Sequence, residues 1–99
     1  MTIVHLEILP WLSRYFSADP STRAVLQTEV RDGSTIRDLL QEIASRNPAF
    51  GKTLFDENDQ VAVHISLILN GRLYELAGGL EAELRHGDTV RLLPAFSGG

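Results

Sequence analysis

Cysteine is absent from the 99-residue sequence. Its absence excludes disulfide bonds, thiolate-bound metals, iron–sulfur clusters held by the chain's own thiols, and a cysteine nucleophile. Long apolar runs are also missing, and the first five residues lack the basic and then apolar pattern of a secretion signal. We therefore expect a cytoplasmic protein with no membrane partner.

The sequence also lacks a cluster of basic residues. Nine Lys and Arg residues stand against 13 Asp and Glu residues, for a net charge of −4, and the basic residues are scattered along the chain. Binding to nucleic acid depends on grouped basic side chains that release counterions from phosphates. We expect no nucleic-acid partner. The negative charge serves solubility, or it steers the chain toward a basic face of an enzyme.

What is present is typical of one folded domain, with 43% hydrophobic and 22% charged residues. Apolar and polar residues alternate in five segments, as expected of strands with one buried face. The predicted strands are residues 3–9, 24–30, 61–69, 72–76 and 89–93. Between the third and fourth, Asn70-Gly71 predicts a tight type I′ hairpin turn.

The main predicted helix begins after Asp32-Gly33, where Ser34 or Thr35 can cap it and where Thr35 and Asp38 have the spacing of a capping box. Apolar residues then follow at helical spacing, namely Ile36, Leu39, Leu40, Ile43 and Ala44. Asn47-Pro48 should end the helix, and residues 52–60 should form a polar loop. A shorter helix is predicted around Trp11, Leu12, Tyr15 and Phe16. One long helix against one face of a mixed sheet is an α+β fold.

Groups that could catalyse a reaction do not cluster in the sequence. His5, His64 and His86 lack the spacing of metal ligands, and no serine has a histidine and an acid at a motif spacing. The segment 56–59 begins like a calcium loop, but Val61 and Leu67 occupy the positions of its glycine and its glutamate. We expect no metal site, no stably bound cofactor and no catalysis by this chain alone.

The end of the chain is the informative feature, because a strand-like segment leads through Pro94 to Gly98-Gly99. Glycines lack Cβ, so such a tail can enter a narrow cleft. From Ala95 to Gly99 it spans at most roughly 17 Å, with Phe96 as an apolar anchor. A terminal carboxylate is a poor electrophile and needs an activating enzyme before transfer. The competing interpretation is a simple unstructured chain end.

These residues resemble those of the MoaD/ThiS sulfur carriers, prokaryotic relatives of ubiquitin. The resemblance rests on a few segments, namely Asp32-Gly33-Ser34-Thr35-Ile36, Leu69-Asn70-Gly71-Arg72, Gly78-Gly79-Leu80, Gly87-Asp88-Thr89-Val90-Arg91-Leu92-Leu93-Pro94 and Gly98-Gly99. It implies a β-grasp domain over residues 1–94 and a flexible tail over residues 95–99. The same superfold has iron–sulfur members, which the lack of cysteine excludes.

The resemblance also implies a reaction and its partners. A ubiquitin-activating-type adenylyltransferase uses ATP and Mg to adenylate Gly99, which follows Gly98, and sulfur from a persulfide then gives a thiocarboxylate. A biosynthetic enzyme such as the molybdopterin synthase large subunit accepts the sulfur. We expect Leu93, Pro94, Phe96 and Ser97 to contact these partners, since an apolar residue beside a reactive tail can anchor it.

Several alternatives remain open at this stage. The chain is longer than typical thiamine carriers around residues 16–23 and 50–60, which favours molybdopterin or cysteine synthesis as the destination of the sulfur. Many relatives have alanine or valine before the two glycines, where this chain has Phe96-Ser97. The chain could also be a ubiquitin-like modifier that forms amides with lysines, or a β-grasp binding module whose tail is irrelevant.

Overall fold

The computed structural model describes residues 2–10, 12 and 24–95. Its strands and helices follow in the order β1 (Thr2–Ile8), β2 (Ala24–Val30), α1 (Ile36–Arg46), α2 (Pro48–Leu54), β3 (Ile65–Leu69), β4 (Arg72–Leu73) and β5 (Thr89–Pro94), with short 3-10 helices at Tyr74–Ala77 and Gly79–Glu81. The strands form one sheet in the order β2-β1-β5-β3-β4. Within these residues, no helix is long and apolar enough to cross a membrane.

One face of the sheet packs against α1 and carries the core. Along β1 the buried and half-buried positions alternate, and Val4, Leu6 and Ile8 are fully buried. The apolar side of α1 meets this face through Ile36, Leu39, Leu40 and Ile43. The predicted mixed sheet and the predicted apolar stripe of the helix are both confirmed. The opposite face of the sheet is not covered by a described element, and it carries the alternate residues of each strand.

The start of α1 follows from the predicted capping box. The Thr35 hydroxyl accepts the Asp38 N–H at 3.2 Å, and the Asp38 carboxylate accepts the Thr35 N–H at 3.0 Å. Two backbone donors that the first turn would leave unpaired are thereby satisfied. The helix ends before Asn47, as predicted.

Residues 48–54 correct the prediction of a polar loop that begins at Lys52, because they form α2. Asn47 caps α2 by accepting the Phe50 N–H at 3.2 Å, and Pro48 occupies the first turn, where its missing N–H costs nothing. Phe50 and Leu54, one helical turn apart, are fully buried. The asparagine-proline pair therefore ends one helix and begins another. The helix predicted around Trp11 to Phe16 lies outside the described residues, apart from Leu12, which is buried.

The strand predicted at 61–69 is shorter than its alternating pattern, because β3 begins at Ile65. Just before it, the Ile65 N–H donates to the Ala62 carbonyl at 3.0 Å and closes a turn. Val63, which belongs to the alternating pattern, lies on this turn with 92% of its surface exposed. The chain therefore forms a turn where the alternating pattern predicted a strand.

The Asn70-Gly71 turn is confirmed, since both residues have positive φ, 51° and 83°. Asn70 also ties this turn to the start of β5. Its amide oxygen accepts the Thr89 N–H at 2.9 Å, and its amide nitrogen donates to Asp88 at 2.9 Å. The following strand, predicted to extend to residue 76, ends at Leu73 and continues as a 3-10 helix.

The close approach of α1 and α2 predicts that Gly51→Ala destabilises the fold. A Cβ at Gly51 would lie 2.9 Å from the Cβ of Ala44 and 3.3 Å from its Cα. Two rigid helices must then separate, and we expect a loss of about 1–3 kcal/mol in the free energy of unfolding. Urea unfolding measures this loss. In an Ala44→Gly background the clash is relieved, so an equal loss in both backgrounds would contradict the prediction.

The junction of β1 with the end of β2 predicts a pH dependence of stability. The Thr2 hydroxyl donates to Asp32 at 2.7 Å, and this bond lowers the pKa of the Asp32 carboxyl below its ordinary value of 3.8. A lowered pKa stabilises the folded state above the unfolded value, and the stabilisation is lost as the pH falls through the folded value.

We expect Thr2→Val to remove that contribution while preserving the shape of the buried side chain. The stability difference between the two proteins should be largest near neutral pH and should shrink as the pH falls below 3.8. Urea unfolding across this range measures it. A difference that stays constant down to acid pH would show that the hydrogen bond has no effect on the titration of Asp32.

Candidate functional site at the end of the last strand

The C-terminal strand β5 lies in the middle of the sheet and is held on both sides. It pairs in parallel with β1, where Leu6 lies opposite Val90, and antiparallel with β3, where Ile65 lies opposite Pro94. One residue further, the Ala95 N–H donates to the His64 carbonyl at 2.7 Å. The chain therefore leaves the sheet at a fixed point beside His64.

Four of the predicted site residues follow that point. Phe96, Ser97, Gly98 and Gly99 lie outside the described residues, so the predicted acylation site at Gly99 and the partner contacts of Phe96 and Ser97 stay predictions. A four-residue segment beyond Ala95 has a reach of at most roughly 14 Å. Any enzyme that acts on Gly99 must therefore come close to the end of β5.

The other two predicted contact residues lie on β5 itself. Leu93 and Pro94 are both half-buried, whereas Val90 and Leu92 on the same strand are fully buried in the core. Leu93 is on the alternate register, so it faces the open side of the sheet, and it pairs across the sheet with Ser66 of β3. The structure thus leaves an apolar side chain partly accessible two residues before the chain exits the sheet.

An ion pair on the open face was not found by sequence reasoning. Arg91 donates from Nη2 and Nε to Glu7 Oε2 at 3.2 and 3.3 Å, across the parallel pairing of β5 with β1. The Glu7 side chain is 13% exposed and that of Arg91 is 43% exposed. The pair lies next to Leu93 and places one positive and one negative side chain on the open face. The only signal in the sequence was that both residues alternate with buried ones.

Two further apolar residues are exposed, one beside the exit of the chain and one at the far edge of the sheet. Val63, 92% exposed, immediately precedes His64, whose carbonyl holds the exit of the chain. Leu73 of β4 is 47% exposed at the far edge of the sheet. We use the term exit surface for Glu7, Val63, Arg91, Leu93 and Pro94. Exposed apolar side chains around a charged pair are typical of protein-binding surfaces.

Within residues 2–10, 12 and 24–95 there is no group of three or more His, Cys, Asp or Glu side chains that could hold a metal ion. His86 has a structural contact, since its Nδ1 accepts the Ile3 N–H at 3.2 Å. What the geometry does offer is a central strand, paired on both sides, that leads in the sequence to Gly98-Gly99.

Comparison with known proteins identifies the family of the chain. The sequence profile of the ThiS family matches residues 16–99, which include β2 to β5 and the terminal glycines. The chain belongs to the ThiS family. It is therefore one of the sulfur carriers and ubiquitin-like modifiers, and its five-stranded sheet with α1 is a β-grasp fold, as the resemblance in the sequence implied.

Three individual proteins are similar to this ThiS-family chain. A protein of Archaeoglobus fulgidus named as a sulfur carrier is 37% identical over 62 residues, which cover 60% of this chain and 70% of that protein. The crystal structure of SAMP1 from Haloferax volcanii has a TM-score of 0.75 at 21% identity, covering 98% and 99% of the two chains. A Pyrococcus furiosus protein named as subunit 1 of a molybdopterin converting factor has a TM-score of 0.72 at 22% identity, covering 97% and 100%.

Proposed function

We propose that this chain is a sulfur carrier whose C-terminal Gly99 is converted to a thiocarboxylate for molybdopterin biosynthesis. The observation that carries the proposal is a ThiS-family domain whose central strand β5 leads directly to Gly98-Gly99. The similarity to a protein named as a sulfur carrier supports the chemistry. The likeness to the Pyrococcus furiosus protein supports molybdopterin as the destination of the sulfur, and the length of the chain favours molybdopterin or cysteine synthesis over thiamine synthesis.

The chemistry follows from the nature of the terminal carboxylate. One carboxylate oxygen attacks the α-phosphate of ATP in the partner adenylyltransferase, pyrophosphate leaves, and the acyl carbon gains a good leaving group. A persulfide sulfur then displaces AMP at that carbon, and reduction of the resulting sulfur–sulfur bond by a thiol releases the donor. The product is the Gly99 thiocarboxylate. The synthase large subunit would accept its sulfur.

The folded domain positions the tail for this chemistry. Pairing of β5 on both sides fixes the origin of the tail, so the entropy lost when Gly99 enters the partner's cleft is confined to a few residues. The two glycines let the cleft close around the backbone. The exit surface supplies contacts that hold the two proteins together while the tail reacts.

The first test is the intact mass of the protein after incubation with the host's adenylyltransferase, MgATP and a sulfur source. We expect an increase equal to the replacement of one oxygen by sulfur, and no increase when ATP is omitted. Addition of the synthase large subunit and its precursor should then return the mass to its starting value. No increase with an adenylyltransferase that converts a known carrier would overturn the proposal.

A second candidate function is a protein modifier, which the similarity to SAMP1, a small archaeal modifier protein, favours. In that case the acyl group of Gly99 is transferred to an amine with loss of its activating group. Digestion of cellular conjugates would then leave Gly98-Gly99 attached to lysines of other proteins. A chain recovered only with a free carboxylate or thiocarboxylate would exclude this function.

A further inference from the structure

The hairpin turn between β3 and β4 is joined to the start of β5 by a closed set of hydrogen bonds. The Asn70 amide oxygen accepts the Thr89 N–H at 2.9 Å, and the Asn70 N–H donates to the Thr89 carbonyl, also at 2.9 Å. The Asn70 amide nitrogen donates to Asp88 Oδ1 at 2.9 Å. Asp88 uses its other oxygen, Oδ2, to accept the Arg85 N–H at 2.8 Å. We use the term Asn70–Asp88 network for these four bonds.

The network requires an amide side chain at position 70. A type I′ turn accepts aspartate as well as asparagine at this position, so the turn alone does not explain the amide. Here one side-chain atom accepts the Thr89 N–H, and the other donates to the Asp88 carboxylate. An amide can do both, whereas an ionised carboxylate can only accept. The network therefore specifies asparagine rather than aspartate.

The same Asn70-Gly71 dipeptide can convert that amide into an acid without an enzyme. The Gly71 backbone nitrogen attacks Cγ of Asn70, a carbon–nitrogen bond forms, and ammonia leaves with the amide nitrogen and the proton of the Gly71 N–H. Water then opens the cyclic imide at one of its two carbonyls and gives aspartate or isoaspartate. Glycine favours the attack because no side chain shields its nitrogen. The reaction needs only solvent water.

The turn is open to water, and the network is what opposes the reaction. Asn70 and Gly71 are both exposed, and a Cβ built at Gly71 would have no neighbour within 4 Å. Ring closure brings Cγ of Asn70 onto the Gly71 nitrogen, and this rotation takes the side-chain amide away from Thr89 and Asp88. The network must therefore open before the imide can form.

The product of the reaction does not fit the network. A carboxylate at position 70 can still accept the Thr89 N–H, but it also places a second negative charge where Asp88 now accepts a donor at 2.9 Å. Two carboxylates at this distance repel each other, and neither can donate. Isoaspartate adds an atom to the main chain as well, and so changes the geometry of the turn. Both products separate the β3–β4 hairpin from β5.

We propose that Asn70 is a site of spontaneous deamidation, which the Asn70–Asp88 network slows and whose product destabilises the same network. Deamidation replaces an attraction between the β3–β4 hairpin and the start of β5 by a repulsion. β5 is the strand that leads to Gly98-Gly99, so the modification weakens the support of the tail at a site distant from it in the sequence. The inference is independent of the proposed sulfur transfer.

The rate of deamidation is measured on the full-length protein during incubation in mildly alkaline buffer. Peptide mapping by mass spectrometry separates the unmodified, aspartyl and isoaspartyl forms of each asparagine. We expect Asn70 to react at least about tenfold faster in urea than in the folded protein, because only unfolding or local opening frees its side chain. Asn58 is an internal control. It is also exposed, but Asp59 follows it, so it should react more slowly than Asn70 in urea.

Asp88→Asn tests the role of the network in the folded protein. An amide at position 88 can still accept the Arg85 N–H, but it offers Asn70 a donor in place of an acceptor. We expect Asn70 to deamidate about three- to tenfold faster in this folded variant than in wild type, because one of the bonds that hold its side chain is lost. In urea the two proteins should react at the same rate.

The effect of the product is measured with Asn70→Asp, which reproduces the aspartyl form. We expect its unfolding equilibrium constant in urea to be about three- to tenfold higher than that of wild type, and hydrogen exchange at the amides of residues 70 and 89 to be faster. Circular dichroism reports whether the fold is intact.

The matched control combines Asn70→Asp with Asp88→Asn and so exchanges the two side chains. The amide at position 88 can then donate to the carboxylate at position 70 while it accepts the Arg85 N–H, and the carboxylate accepts the Thr89 N–H. Every bond of the network can form again with one negative charge. The double variant should therefore be more stable than the sum of the two single changes predicts.

Several results would overturn the proposal. Equal rates of deamidation at Asn70 in the folded and unfolded protein, or in folded wild type and folded Asp88→Asn, would show that the network does not slow the reaction. Faster reaction at Asn58 than at Asn70 in urea would show that the Asn-Gly pair is not the reactive site. An Asn70→Asp variant as stable as wild type, or a double variant with purely additive loss, would show that the product is tolerated.

Discussion

Addition of one alanine after Gly99 should abolish thiocarboxylate formation while leaving the fold and its stability unchanged. The extra residue moves the carboxylate by roughly 3.5 Å and places a Cβ where the partner's cleft is shaped for glycine. A displacement of this size removes the reacting carbon from its productive position, and we expect the rate to fall at least about a hundredfold. The intact mass after incubation with adenylyltransferase, MgATP and a sulfur source measures the product.

The control for this prediction is Glu57→Ala, a change at an exposed residue that leaves the tail as it is. It should form thiocarboxylate at close to the wild-type rate. Urea unfolding should give the same free energy for all three proteins, because the added alanine lies beyond β5 and Glu57 is exposed. A normal yield of thiocarboxylate from the extended chain would overturn the tail mechanism, whatever the behaviour of the control.

Leu93→Asp should weaken binding of the adenylyltransferase by about ten- to a hundredfold. Leu93 is half-buried on the open face, beside the Glu7–Arg91 pair and two residues before the exit at Ala95. An apolar contact at the centre of an interface typically accounts for a factor of this size, and a carboxylate there would be desolvated without a partner. Phe96→Asp, four residues from the end of the chain, should act in the same direction. Binding measured by calorimetry or by surface plasmon resonance checks both.

The control for Leu93 is Leu76→Asp, the same chemical change at a residue that is 68% exposed on the 3-10 helix Tyr74–Ala77. We expect it to leave the affinity within about twofold of wild type. Leu93→Asp must also retain its circular dichroism spectrum, since part of the side chain is buried. If a folded Leu93→Asp variant binds as tightly as Leu76→Asp does, the exit surface is not where the adenylyltransferase docks.

Local sequence signals predicted those parts of the fold that depend on short-range interactions. The capping box of Thr35 and Asp38, the apolar stripe that follows it, and the Asn70-Gly71 turn are each complete within a few residues, and each is confirmed. The same holds for β2, where the alternating pattern marks the observed strand from Ala24 to Val30. In these segments the periodicity and the capping chemistry agree with the tertiary fold.

The predictions failed where a local pattern admits two structures. Asn47-Pro48 ends α1, and the sequence that follows it could form either a loop or a second helix. The burial of Phe50 and Leu54 in the core decides for the helix α2. Alternation in 61–69 suggested one long strand, but Val63 lies on the turn that the Ile65–Ala62 hydrogen bond closes, and 92% of its surface is exposed. Propensity is a weak prior, and contacts distant in sequence override it.

For the candidate site, the sequence alone identified a terminal Gly98-Gly99 on a small domain without cysteine and with a recognisable family pattern. Only the tertiary structure decided that β5 lies between β1 and β3, so that residues 84 apart in sequence form the Glu7–Arg91 pair beside Leu93. The order of the strands likewise came from the structure alone. The physical reason is that residue types and their periodicity can be read from neighbouring residues. Surfaces, in contrast, form when strands that are distant in the sequence pair with each other.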